Sequence, residues 1–219
     1  NDNFNYYEIL TDIRHSEKVL VMRVFLSVLL LIFSLQSWTM ADDIRDFEIE
    51  GMSIGDSLLD HFKVKTIKSA RKYKYKNDNF YSIDIWSNKF NQYSAIQFHL
   101  KKNDKKYIIQ GLSGTLIFGK LGIYDSKSQF ECKNKKKLIM NSVSSLFPNA
   151  DVQSFDDVNS DDGYGQKALR SETYYILDFG EVWIQCVTWG KITKKKENLY
   201  DNLRFTLLTP GFIKFMNSL

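Results

Sequence analysis

Thr173-Tyr174-Tyr175-Ile176-Leu177-Asp178-Phe179-Gly180-Glu181-Val182-Trp183-Ile184-Gln185-Cys186-Val187-Thr188-Trp189 decides the fold. A tight turn at Gly180-Glu181 splits it into two runs rich in β-branched and aromatic side chains, Thr173 to Phe179 and Val182 to Trp189. A strand with one wet face alternates apolar and polar residues, and the second run does not. Val182, Ile184 and Cys186 fall on one side of it and Trp183, Val187 and Trp189 on the other. Apolar side chains on both faces place this strand at the centre of its sheet.

Downstream, Leu203 to Leu208 reads as a last strand stopped by Pro210-Gly211, and Phe212-Ile213-Lys214-Phe215-Met216 as a final helical turn. Upstream, Asp151 to Gly165 is acidic and polar enough to read as a loop. Before it, Ser128 to Phe147 carries Cys132, Ile139, Val143, Leu146 and Phe147 on one helical face, and Pro148-Asn149 ends that helix. Three further period-two runs precede it: Phe80 to Trp86, Tyr93 to Leu100 and Tyr107 to Phe118. The polar turn Lys101 to Lys106 makes the last two a hairpin, and Gly111 and Gly114 mark a bulge or a close backbone approach. Ile44 to Glu50 alternates like a half-buried strand that Gly51 ends. Ser53 and Asp56 then stand as a capping box before Ile54, Leu58, Leu59 and Phe62 at helical spacing. The expected fold class is α+β, a single antiparallel sheet of five or more strands with two helices packed on one face.

Cys132 and Cys186 are the only cysteines. A lone pair this far apart suits a disulfide in an oxidising compartment, whereas a zinc site needs more ligands at closer spacing. Two buried free thiols are the alternative. The compartment is read from Met22-Arg23, the apolar run Val24 to Leu35 and the small-residue exit ending at Ala41, the pattern of a secretory signal. The run is short of the roughly 20 residues that a helix needs to span a bilayer. An uncleaved anchor or a buried helix would be the other readings, and no lipobox cysteine follows. The expected organisation is residues 1–21 as an upstream extension outside the native protein, 22–41 as signal peptide and 42–219 as one domain. That domain is expected in the periplasm or outside the cell after cleavage near Ala41.

Apolar residues are 43% and charged residues 26% of the chain, which is ordinary for a globular protein and excludes a disordered one. The net charge of +4 is a modest surplus that suits solubility and tolerates anionic partners without requiring one. Only 2 prolines occur, and Lys, Asn, Ile, Phe and Tyr are abundant, a composition that AT-rich genomes produce, so lysine counts say little about function.

Gly51-Met52-Ser53-Ile54-Gly55-Asp56-Ser57-Leu58-Leu59-Asp60, just after the signal and one strand, resembles the start of uncharacterised exported proteins of AT-rich marine alphaproteobacteria. The resemblance implies an exported protein and carries no activity with it. Outer-membrane assembly lipoproteins and β-lactamase inhibitor proteins open in a similar way, but this sequence lacks their lipobox and shows no clear second helix–sheet repeat.

No catalytic, cofactor or metal motif stands out. His61 and His99 have no metal-ligand spacing and read as surface or hydrogen-bonded imidazoles. Gly111-Leu112-Ser113-Gly114 lies inside a strand and not at a strand-to-helix elbow. Asp157, Asn159 and Asp161 alternate like calcium ligands, but Gly163 comes one place late and Ala168 stands where a bidentate Glu belongs, so a solvated loop is expected. The densest basic stretch, Lys63 to Lys76, interleaves lysines with Tyr73 and Tyr75. It reads as a lysine-protected strand edge or as an anion-binding surface at Arg71, Lys72, Lys74 and Lys76 for anionic envelope lipid, with another envelope protein as an alternative partner. Export argues against nucleic acid. Lys133 to Lys137 and Lys191 to Lys196 read as a solvated helix face and a loop. The expected function is a non-enzymatic binding or interaction protein, and the alternative is a periplasmic hydrolase using carboxylates such as Asp84 or Asp178 near strand centres.

Overall fold

The computed structural model describes residues 44–76, 79–123, 126–161 and 167–219. Every described residue belongs to one compact unit within residues 41–219. The upstream extension and the signal read at 22–41 lie outside the described residues.

Eight strands form one antiparallel sheet: β1 (Arg71–Lys74), β2 (Phe80–Trp86), β3 (Ala95–Lys101), β4 (Ile109–Phe118), β5 (Asp151–Asp161), β6 (Lys167–Leu177), β7 (Gly180–Thr188) and β8 (Asp201–Leu208). The helices are α1 (Leu58–His61), α2 (Val64–Ser69), α3 (Ser126–Leu146), α4 (Lys191–Lys196) and α5 (Pro210–Met216). The fold is α+β. Strand order across the sheet is β1-β2-β3-β4-β8-β7-β6-β5, so the chain makes two four-stranded meanders, each preceded by helix, and the last strands of the two pair antiparallel at the middle. A helix–sheet repeat is thus present in the topology although none is evident in the residues. The helix α3 is long where its counterparts α1 and α2 are short, and α4 interrupts only the second meander.

Alternation along the strands sorts the sheet into two faces. Tyr81, Ile83 and Ile85, then Ile96, Phe98 and Leu100, then Val182, Ile184 and Cys186, then Leu203, Phe205 and Leu207 form one apolar face. The segment 44–67 and helix α3 cover it, through Ile49, Met52, Leu58, Ile67, Cys132, Val143 and Phe147. Burying a side chain such as Leu207 or Val182, both fully buried, stabilises by roughly 1.5–3 kcal/mol. Cys132 and Cys186 are disulfide-bonded, Cα atoms 6.0 Å apart, and tie α3 to the sheet it covers. Gly114 faces the same side under the ring of Tyr93, where a Cβ would collide with that ring, which accounts for a glycine in mid-strand.

Buried charge on this face is fully partnered. Asp201 accepts from Lys194 Nζ at 2.7 Å, from the Trp189 amide at 3.1 Å and from Ser128 Oγ, which joins α4, β8 and the start of α3. Lys194 and Asp201 are both 0% exposed.

Several sequence expectations are corrected. Ile44 to Glu50 is not a strand. Ile44–Asp46 is a 3-10 turn, and Glu50 and Gly51, both at positive φ, reverse the chain so that only Ile49 pairs, with Met52. The Glu50 carboxylate then accepts the amides of Asn91, Gln92 and Tyr93 at 2.8, 2.6 and 3.1 Å. The capping contact from the Ser53 amide to Asp56 forms at 2.8 Å, but the helix starts later, with Ser57 as its N-cap. Asp151 to Asp161 is an edge strand and not a loop. Lys191 to Lys196 is helical, and Lys194 is buried with Asp201. Lys136 points inward from α3 to Ser171 at 2.9 Å, not outward with its neighbours. Finally, α5 lies on the face opposite the other helices: Phe212 and Phe215 pack on Phe80 and Leu208.

Candidate functional site

Outside α5, the second face of the sheet is uncovered by any described helix, and its side chains are polar and aromatic. The strand register sets them side by side. Arg71, Asp84, Gln97, Ser113, Thr206 and Trp183 are successive cross-strand neighbours from β1 to β7. The next row along the strands runs Ala95, Thr115, Arg204, Gln185 and Glu172. Ser113, Thr115 and Thr206 are small, so a depression forms above β3, β4 and β8 where larger residues would have filled it.

Two walls deepen it. At one end Thr209 caps α5, its Oγ1 accepting from the Phe212 amide at 3.2 Å, with Pro210 at the first helical position. At the other end the segment from Glu197 to Tyr200, between α4 and β8, rises beside Trp86, which is 57% exposed. The result is two cavities, about 340 Å³ toward Trp86 and about 310 Å³ toward α5, with Tyr73, Gln97 and Arg204 lining both. From Asn202 to Leu208 the floor extends roughly 20 Å along β8 at about 3.3 Å per residue.

Most polar groups here already have protein partners. Gln97 donates to Asp84 at 2.8 Å, Thr206 to Ser113 at 2.9 Å, and Gln185 to Glu172 at 3.1 Å. Tyr174 donates to Glu172 at 2.5 Å, and burial together with that carboxylate pushes its phenol up to about 12. Beneath α5, His99 is 7% exposed, bonded through Nδ1 to the Tyr75 hydroxyl at 2.6 Å and stacked on Phe212 at 4.6 Å. Burial, with the charge of Arg204 adding to it, pushes the His99 pKa down to about 3, so the ring is neutral. Gly111 beside it has no room for a Cβ, which would meet His99 and Leu208 at 2.9 Å.

The exception is Arg204. Its Nε is buried and no described residue accepts from it. Burial holds this guanidinium below the usual arginine range, with Asp84 opposing the shift. A buried donor with no acceptor costs about 1–3 kcal/mol, a cost a fold tolerates where something else completes the set.

The residues singled out from sequence are only partly gathered. Arg71 and Tyr73 of β1 face the cleft, and the Arg71 guanidinium lies 4.8 Å over the Tyr73 ring. Lys72 and Lys74 point to the other side of that edge strand, where Lys72 Nζ sits 3.8 Å over the Tyr81 ring, and Lys76 is exposed beyond the strand end. The four basic residues therefore do not form one surface. Asp84 lines the cleft, whereas Asp178 is in the β6–β7 turn and lines a different cavity, so it is not near a strand centre. Asp156 and Asp157 of the acidic run are ion-paired with Lys136 and Lys133 of α3. The Ser171 hydroxyl, more than Lys136, holds the Asp156 carboxyl below its ordinary range. His61 is exposed at 3.5 Å from Asp56. Among the described residues no cluster of three or more His, Cys, Asp or Glu side chains is arranged to hold a metal.

Arg204, Gln97 and Trp86 were not marked by the sequence. Their only signal is position: each is the polar or outward member of an alternating strand, opposite the apolar side chains that build the core. Comparison with known protein families, curated proteins and solved structures finds no match for this chain.

Proposed function

We propose that this protein is an exported, non-enzymatic binding protein that receives its ligand in the cleft on the uncovered sheet face. The observation that carries the reading is the pair of adjoining cavities that share Tyr73, Gln97 and Arg204. Binding sites are concave, line themselves with aromatic side chains and place a few polar groups among them, and this cleft has each of those properties. Support for export comes from the signal pattern at 22–41 and from the disulfide, which suits an oxidising compartment. Among the described residues no helix is long and apolar enough to cross a membrane. The hydrolase reading draws less support, since Asp84 and Asp178 line separate cavities and Asp84 is engaged by Gln97.

Amide and indole NMR shifts recorded against a diverse small-molecule mixture test the binding reading. Shifts should concentrate on Tyr73, Gln97, Trp183 and Arg204. A protein whose shifts scatter over the surface, or show none in the cleft, does not use this site. Export is tested separately by N-terminal sequencing of protein from the source cell, which should begin within a few residues of Asp42, and retention of residues 22–41 overturns it.

A further inference from the structure

The geometry points to a carboxylate-bearing amphiphile as the occupant of the cleft, its head held side-on by the Arg204 guanidinium and its apolar body lying in the cavity beneath α5. This rests on the proposed binding reading and narrows it to a chemical class.

The head is read from Arg204. A guanidinium offers parallel N–H groups that match the two oxygens of a carboxylate, and one such pair includes Nε. Arg204 lines both cavities, and its buried Nε has no acceptor among the described residues. None of the acceptors that share the floor with it, the amide oxygens of Gln97 and Gln185 and the hydroxyl of Thr206 among them, takes up this N–H. A planar anion reaching Nε supplies the acceptor that the protein does not. Asp84 shares the cleft and disfavours a second bulky negative group, which favours a singly charged head over a multiply charged one.

The body is read from the cavity toward α5. Leu208, Phe212, Met216 and the ring faces of Tyr75 and Trp183 line it, and His99 beside them is neutral and already bonded to Tyr75. At about 310 Å³ this space takes a medium-length alkyl chain or a single aromatic ring.

Octanoate, octanamide and inorganic phosphate are the probes, titrated into the full domain and followed by amide and indole NMR shifts. Octanoate should shift Gln97, Gln185 and Trp183 and bind at least roughly tenfold more tightly than the isosteric octanamide, the difference a charged bidentate contact makes. Arg204→Gln should weaken octanoate by about tenfold or more and leave octanamide unchanged, with Arg204→Lys falling between because it keeps the charge and loses the fork. Should Arg204→Gln fail to fold, Met216→Trp, which fills the apolar end at the mouth, should weaken octanoate and octanamide alike. Equal binding of octanoate and octanamide in the cleft overturns the carboxylate inference while leaving a binding cleft. Phosphate binding at the same residues more tightly than octanoate overturns the amphiphile in favour of a bare anion. No cleft shift with any of the three at about 10 mM overturns this inference, and an empty result from the diverse mixture as well overturns the binding reading beneath it.

Discussion

The two faces of the sheet solve the problem of buried polarity in opposite ways. On the helix-covered face Asp201 is wholly enclosed and every contact it needs is supplied from within, by Lys194, Ser128 and the Trp189 amide. On the uncovered face Arg204, three residues along the same strand, keeps a buried Nε with no acceptor among the described residues. One strand thus carries a completed buried charge on one side and an incomplete one on the other. Completion marks the scaffold, and incompleteness marks the place where something from outside is expected to bind.

The contrast predicts unequal costs. Removing the Asp201 carboxylate, as in Asp201→Ala, leaves the Lys194 ammonium buried and alone and should cost about 3–5 kcal/mol by denaturant unfolding. Cys186→Ser, on the same face, should cost roughly 2–5 kcal/mol, and reduction of the unmutated protein should lower its thermal midpoint in the same way. A loss below 1 kcal/mol in both would mean the covered face is less tightly built than its partners imply.

The uncovered face is probed by pH. The folded His99 titrates at about 3 against 6.5 unfolded, so between those values the unfolded chain holds the extra proton. The stabilisation is fully present above pH 6.5 and is lost as pH falls toward 3, with a slope of at most about 1.4 kcal/mol per pH unit from this group. Urea midpoints from pH 7 to 5 should fall for the native protein and fall less for His99→Gln. Parallel curves would show that His99 is not buried neutral.

The smallest effect sharpens the comparison most. Arg204→Met removes an unserved buried donor, so the change in stability should lie within about 1 kcal/mol of zero. A loss as large as that of Asp201→Ala would show that Arg204 is as complete as its neighbour and would erase the distinction between the faces.

The faces also differed in how readily the sequence disclosed them. Strands β2, β3, β4 and β8 follow from apolar alternation and α3 from its helical stripe, because each has a buried side to contrast with a wet one, whereas β7 follows from a dense run of β-branched and aromatic residues with apolar side chains on both sides. Strand β5 has no such contrast: its side chains from Asp151 to Asn159 are all exposed, and its pairing comes from the register of β6. Lys194 and Lys136 look like members of lysine runs, and only the fold brings them to Asp201 and Ser171. The cleft was hidden for a related reason. Its strand residues come from six strands, two to four from each, and a side chain that merely faces away from a core gives no sign of what it faces toward.

The pairing of β4 with β8 has a consequence for the order of assembly. Each meander is made of contacts between neighbours in sequence, which form early, but Gly111 meets Leu208 only after the whole second meander is in place. The central ladder is therefore expected to close last, and until it does two unpaired inner strands stand open to other chains. The floor of the cleft is β3, β4 and β8, so neither half contains the site. Arg204 acquires its surroundings at the step that ends folding, and a ligand that binds there recognises only a finished molecule.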